Sequence, residues 1–154
     1  MQSRWVVKVL ASGLAFVAVG CPQMPGDDNG AVVEYTADLE GAQEVPPADT
    51  DGTGSATMER NGNVLSFEAT ASGLTGPVMA AHFHNAAAGA DGPVVFDLAS
   101  FLSEENGAVT ISGEWTIDDT EIAQLDAGAI YINLHTQQFP DGEIRGQIEM
   151  ADGQ

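Results

Sequence analysis

Only three histidines occur in this chain of 154 residues, and they fall into two patterns. His82 and His84 form an H-x-H pair within Ala81-His82-Phe83-His84-Asn85, and His135 stands in Asn133-Leu134-His135-Thr136. Side chains alternate between the faces of a β-strand, so an H-x-H pair places both imidazoles on one face, about 6.5–7 Å apart at Cα. Both rings can then reach one ion, and a histidine from a neighbouring strand would complete a three-imidazole site. Imidazole suits copper, zinc, iron or nickel rather than calcium or magnesium, and copper or zinc is the expected cofactor. The alternative is that each ring has an ordinary polar partner. Ring nitrogens converging to within about 4 Å, with little else satisfying them, favour an ion. A separate backbone carbonyl for each ring favours hydrogen-bonded histidines.

Other chemistry is scarce. The chain has no Gly-x-Ser-x-Gly motif, no P-loop and no lysine beyond Lys8, and nothing local supports a Ser/His/Asp triad. Methionine is a soft copper ligand, but Met79 has the wrong parity to join His82 in a regular strand. Core packing is its expected role unless a bulge intervenes. The acidic stretch Ala48-Asp49-Thr50-Asp51-Gly52 lacks the ligand series of an EF-hand loop.

The elements that must carry the histidines are strands. From Ala31 onward, short alternating runs are separated by Gly, Pro, Asn and Asp, the pattern of an antiparallel all-β sandwich or barrel. About eight strands are expected, at 32–40, 53–60, 63–71, 78–85, 93–98, 108–117, 129–136 and 143–150, in a Greek-key arrangement. Asn61-Gly62 predicts a tight hairpin between the second and third. One short helix is expected at 119–126, capped by Asp118 or Asp119 and ended by Gly128. Parity puts Ala81, Phe83, Ile130, Ile132 and Leu134 in the core, with His82, His84, Tyr131, Asn133 and His135 on the opposite face. In the last strand Ile144, Ile148 and Met150 are expected inside, and Glu143, Arg145, Gln147 and Glu149 outside.

The N-terminus predicts export. Arg4 and Lys8 precede an apolar stretch from Val9 to Val19 that leads into Ala18-Val19-Gly20-Cys21. A charged start, a short apolar run and small residues make a secretory signal, and the run is too short for a bilayer core that needs roughly 20 residues. Cys21 is the only cysteine, and the four residues ending in it resemble a bacterial lipobox. The expected organisation is a signal peptide at 1–20, a lipidated Cys21 with a flexible tether at 21–30, and one domain at 31–150. Acyl chains on Cys21 would make membrane lipid a partner. The absence of Asp after Cys21 points to the outer membrane, facing periplasm or surface. Cleavage removes Arg4 and Lys8, leaving Arg60 and Arg145 against 23 carboxylates, or 2 − 23 = −21. Such a charge repels nucleic acid and attracts cations, and it also suits a salty environment.

Three groups of segments resemble one family. They are Ala37-Asp38-Leu39-Glu40-Gly41-Ala42-Gln43-Glu44-Val45-Pro46-Pro47, then Ala81-His82-Phe83-His84 with Gly92-Pro93-Val94-Val95, and Tyr131-Ile132-Asn133-Leu134-His135-Thr136 with Phe139-Pro140-Asp141-Gly142-Glu143-Ile144-Arg145-Gly146-Gln147-Ile148. Together they are similar to the CHRD domain, which is named after chordin and is common in exported bacterial proteins. The resemblance implies either a metal-binding module or a non-catalytic interaction module, the family having no settled activity. The H-x-H pair and the later histidine also resemble the copper site of copper/zinc superoxide dismutase, an eight-stranded Greek-key barrel. That enzyme uses more copper histidines than this chain has, one of them bridging to zinc, so the resemblance implies at most a reduced, copper-type site. It also suggests that Arg145 guides an anion to the metal; the other expectation for Arg145 is structural, paired with Glu143 or a strand neighbour. Superoxide chemistry is disfavoured by the negative charge.

Overall fold

A computed structural model describes residues 32–151; the leader, Cys21 and the tether lie outside them. The strands are β1 (Val33–Glu40), β2 (Thr53–Asn61), β3 (Val64–Ser72), β4 (Val78–Asn85), β5 (Val94–Asp97), β6 (Leu102–Glu105), β7 (Ala108–Thr116), β8 (Ile130–Thr136), β9 (Ile144–Gln147) and β10 (Glu149–Met150). A single α-helix among the described residues, α1 (Asp119–Asp126), joins β7 to β8. All strand pairs are antiparallel, in one sheet of order β5-β4-β8-β9-β1-β2-β3-β7-β6, with β10 beside β1. The all-β antiparallel class with one short helix is as expected.

The sheet curls so that its two halves face each other. The chain crosses between the halves three times, from β3 to β4, β5 to β6 and β7 through α1 to β8. Aromatic side chains fill the space between: Phe67 of β3 meets Phe83 of β4 edge-on at 5.4 Å, and Phe96 of β5 stacks on Trp115 of β7 at 4.9 Å. Each large side chain buried here contributes roughly 1.5–3 kcal/mol, and this packing fixes the inward face of β4.

Three details differ from the expected elements. The strand β6 pairs with β7 through an Asn106–Gly107 turn, both residues at positive φ, which adds a strand to the eight expected. The β2–β3 turn is centred on Gly62–Asn63, because Asn61 pairs with Val64; only Gly62 then needs a positive φ, +60°, as in a type II′ hairpin. The last strand breaks at Ile148, and β10 pairs with β1 instead of continuing along β8, so Met150 is half-exposed and not in the core.

The helix starts where expected. The Asp118 carboxylate accepts from the N–H groups of Thr120 and Glu121 at 2.8 and 3.0 Å, and Glu121 accepts in return from the Asp118 N–H at 2.8 Å. That reciprocal arrangement is a capping box. Asp126 at the other end accepts from the Tyr35 hydroxyl and pairs with Arg60 at 3.5 Å, tying α1 to β1 and β2.

Candidate metal centre

Strand parity carries the histidines to one face. Ala81 and Phe83 of β4 point into the core, as do Ile130, Ile132 and Leu134 of β8, so His82, His84 and His135 lie on the other side. The register sets His82 opposite Asn133, His84 opposite Tyr131 and Ala80 opposite His135, which makes His135 a diagonal neighbour of His82. Their ligand atoms all lie within 4.8 Å of one another. His82 Nδ1 and His135 Nε2 stand 3.3 Å apart, the separation of two nitrogens bonded at about 2.0–2.1 Å to one tetrahedral ion. The 4.8 Å spread is wider than the roughly 4 Å expected of converged ring nitrogens, so the rings must shift to gather around one ion.

Two of the rings are oriented by backbone carbonyls. His84 Nδ1–H donates to Gly92 O at 2.9 Å, and His135 Nδ1–H donates to Pro140 O at 3.1 Å. A carbonyl only accepts, so these bonds hold the proton on Nδ1 and leave the lone pair on Nε2, the arrangement that supports metal-ligating histidines. His84 is 8% exposed, and its Nε2 is buried without a partner. An unpaired buried acceptor of this kind costs roughly 1–3 kcal/mol. His82 and His135 are half-buried. Carbonyl bonding and convergence are therefore compatible, because each imidazole has two nitrogens.

Burial lowers the pKa of His84, and the Gly92 carbonyl opposes this only in part; His82 and Arg145 lower it further. Burial likewise lowers that of His135, helped by His82 and opposed by the Pro140 carbonyl. Both rings are held neutral, the form that binds metal.

The carbonyls come from loops that the sheet face holds in place. Gly92 is required as glycine, since a Cβ there would stand 1.9 Å from Asn85 O. Its N–H donates to the Tyr131 hydroxyl at 3.2 Å. The Tyr131 ring stacks on the His84 ring at 4.8 Å and 10°, and the Arg145 guanidinium lies over the Tyr131 ring, 3.5 Å from its centroid. Arg145 donates to Ala90 O at 2.9 Å and Ala87 O at 3.2 Å, and stands 3.6 Å from Asp91. The Pro140 loop is anchored by Glu143, whose carboxylate accepts from Thr50 Oγ1 (2.7 Å), Thr75 N (2.8 Å), Thr75 Oγ1 (2.8 Å) and Thr136 Oγ1 (2.6 Å).

Several residues expected outside are thus covered. Glu143 and Arg145 are fully buried and Gln147 is nearly so, leaving Glu149 exposed. Parity assigned them to the face away from the core, but the loops at 41–50 and 86–93 lie across that face and enclose it. Arg145 has Asp91 and loop carbonyls as partners rather than Glu143, and its enclosure favours the structural expectation over the guiding one. Met79 is also corrected: it is 70% exposed and sits at a bulge, since Val78 pairs with Thr136 while Ala80 pairs with His135.

Sequence reasoning missed Glu44 and Asn133. Asn133 Nδ2 donates to Glu44 Oε2 at 3.5 Å, while Glu44 Oε1 and Asn133 Oδ1 are buried without partners. With His84 Nε2, they are the only such side-chain atoms among the described residues. Burial pushes Glu44 up to about 7 against the pull of Arg145. The signal available was slight: Glu44 follows Gln43 and precedes the apolar Val45-Pro46-Pro47. A groove of about 560 Å³ lies elsewhere, on the outer face of β1, β2, β3 and β7, and includes Glu34, Glu59, Glu68 and Glu114 in its lining.

No curated protein and no solved structure matches this chain, so the likeness to copper/zinc superoxide dismutase rests on the histidine pattern alone. The CHRD domain matches residues 35–148, a span that runs from β1 through β9 and contains the three histidines, both loops that orient them and the buried Glu44, Arg145 and Glu143. With most of its length and the whole of this site inside that match, the chain belongs to the CHRD domain family.

Proposed function

We propose that the protein is an exported lipoprotein, anchored by acylated Cys21, whose CHRD domain binds one copper or zinc ion through His82, His84 and His135. The observation that carries this reading is the buried, partnerless Nε2 of His84 beside the 3.3 Å gap between His82 and His135. An ion accepts the three lone pairs and relieves the orphaned acceptor. With the His135 lone pair on Nε2, the donor across that gap is His82 Nδ1–H, so loading moves this proton to the other ring nitrogen. The signal sequence and lipobox support the location, and no helix among the described residues is long and apolar enough to cross a membrane.

A non-catalytic interaction module is the rival, and the two carbonyl bonds fit it as well as they fit a metal site. The rival leaves the His84 acceptor unexplained. We assign no catalytic step: the enclosed Arg145 is not presented to an anion from solvent. The test is titration of the untagged protein with copper and with zinc. One tightly bound ion per chain, lost in His82→Ala and in His135→Ala, supports the site; absence of stoichiometric binding favours the interaction module.

A further inference from the structure

We propose that the metal is cuprous copper and that the Met79 thioether is its solvent-side ligand, an inference that rests on the three-histidine site. Along β4 and β8 the site runs from deep to open: His84 is buried, His82 and His135 are half-buried, and Met79 beyond them is 70% exposed. The bulge is what brings Met79 to this end. With Ala81 in the core, regular alternation would turn Met79 inward and Val78 outward; instead Val78 packs against the core and Met79 is exposed. The extra residue between Val78 and Ala80 accounts for this change of parity, and with Ala80 it faces His135 across the bulge, away from the core.

Ala80 stands directly opposite His135. Its methyl group leaves the space over that row open, and residues diagonal to one another across strands lie within reach of long side chains. Methionine, with three rotatable bonds, can fold over that space. The chemistry then selects the ion. Thioether sulfur is a soft neutral donor of the kind that selects Cu(I), whereas zinc sites are built from thiolate, imidazole and carboxylate. Three neutral imidazoles and a neutral sulfur leave the ion's charge uncompensated, and a monovalent ion costs less to hold in a half-dry site than a divalent one. The ion binds already reduced, so no electron transfer is involved.

The experiment compares wild-type protein with Met79→Leu and His84→Ala. Cu(I) affinity is measured by competition with a chromophoric cuprous chelator, zinc affinity separately, and sulfur ligation by X-ray absorption of the Cu(I) form. Met79→Leu is expected to weaken Cu(I) at least about tenfold, the scale on which even indirect supports of a metal site act, and to remove the sulfur signal while leaving zinc affinity within about twofold. Thermal melting checks that this exposed substitution leaves the fold intact. Unchanged Cu(I) affinity in Met79→Leu, with binding abolished in His84→Ala, overturns the role of Met79 and keeps the histidine site. Cu(I) binding undiminished in His84→Ala overturns the site itself.

Discussion

Glu143→Ala removes the carboxylate that pins the Pro140 loop. Glu143 is fully buried and accepts four bonds of 2.6–2.8 Å from neutral donors on three separate segments. Truncation strands those donors at roughly 1–3 kcal/mol each if none relaxes. The hydroxyls of Thr75 and Thr136 are 3.3 Å apart and can bond one another, which brings the expected loss to about 3–5 kcal/mol. For a domain of this size that corresponds to a fall in Tm on the order of 10–25 °C. Glu143→Gln is milder, at about 1–3 kcal/mol, because rotated hydroxyls can accept from the amide. The pH dependence separates the charge from the shape. Burial raises the Glu143 pKa, but the bonds from Thr136, Thr50 and Thr75 outweigh it and leave the pKa lowered. A carboxylate with a depressed folded pKa stabilises above its unfolded pKa, and that stability is lost as pH falls through the folded value. The stability gap between wild type and Glu143→Gln, from urea unfolding followed by circular dichroism, therefore narrows on acidification below about pH 4.5. A gap that stays constant from pH 7 to pH 3, or a cost for Glu143→Ala below about 1 kcal/mol, refutes the reasoning.

Glu44 has the opposite sign. Its pKa is raised to about 7, so its contribution is fully present below the unfolded value near 4.5 and is lost as pH rises through 7. Glu44→Gln is expected to be more stable than wild type at pH 8, by roughly 1–3 kcal/mol, and equal to it near pH 4, as read by chemical denaturation. Phe83→Ala, at the centre of the aromatic contact between the sheet halves, is expected to lose about 3–5 kcal/mol. Gly142→Ala would set a Cβ 2.6 Å from the Glu44 carboxylate oxygens and from Asn133 Nδ2, at φ +141°. A melting point lowered by several degrees and a weaker metal affinity are expected there.

The features legible in the sequence were those set by near neighbours. The period-two pattern of β4 and β8 was enough to put three histidines on one face, and the Asp118/Glu121 spacing was enough to start α1. The Asn106–Gly107 turn was equally local and would have revealed β6. What escaped depends on distant segments. Nothing beside Arg145 or Gln147 in sequence says that the loop at 86–93 folds over them, and nothing beside Glu143 names Thr50 and Thr75 as its partners. The register that places Ala80 against His135, and with it the bulge at Met79, is a property of two strands together. The carbonyls that orient His84 and His135 lie eight and five residues away in sequence, yet their aim depends on the close approach to Asn85 that Gly92 allows and on Glu143.

The most direct measurement is a crystal structure of the metal-loaded, untagged protein with anomalous scattering collected at the copper and zinc edges. One ion is expected between β4 and β8, about 2.0–2.1 Å from His84 Nε2, His135 Nε2 and His82 Nδ1, with the bonds to Gly92 O and Pro140 O retained. An ion held elsewhere, or histidines still bonded as they are with no anomalous peak between them, would contradict it.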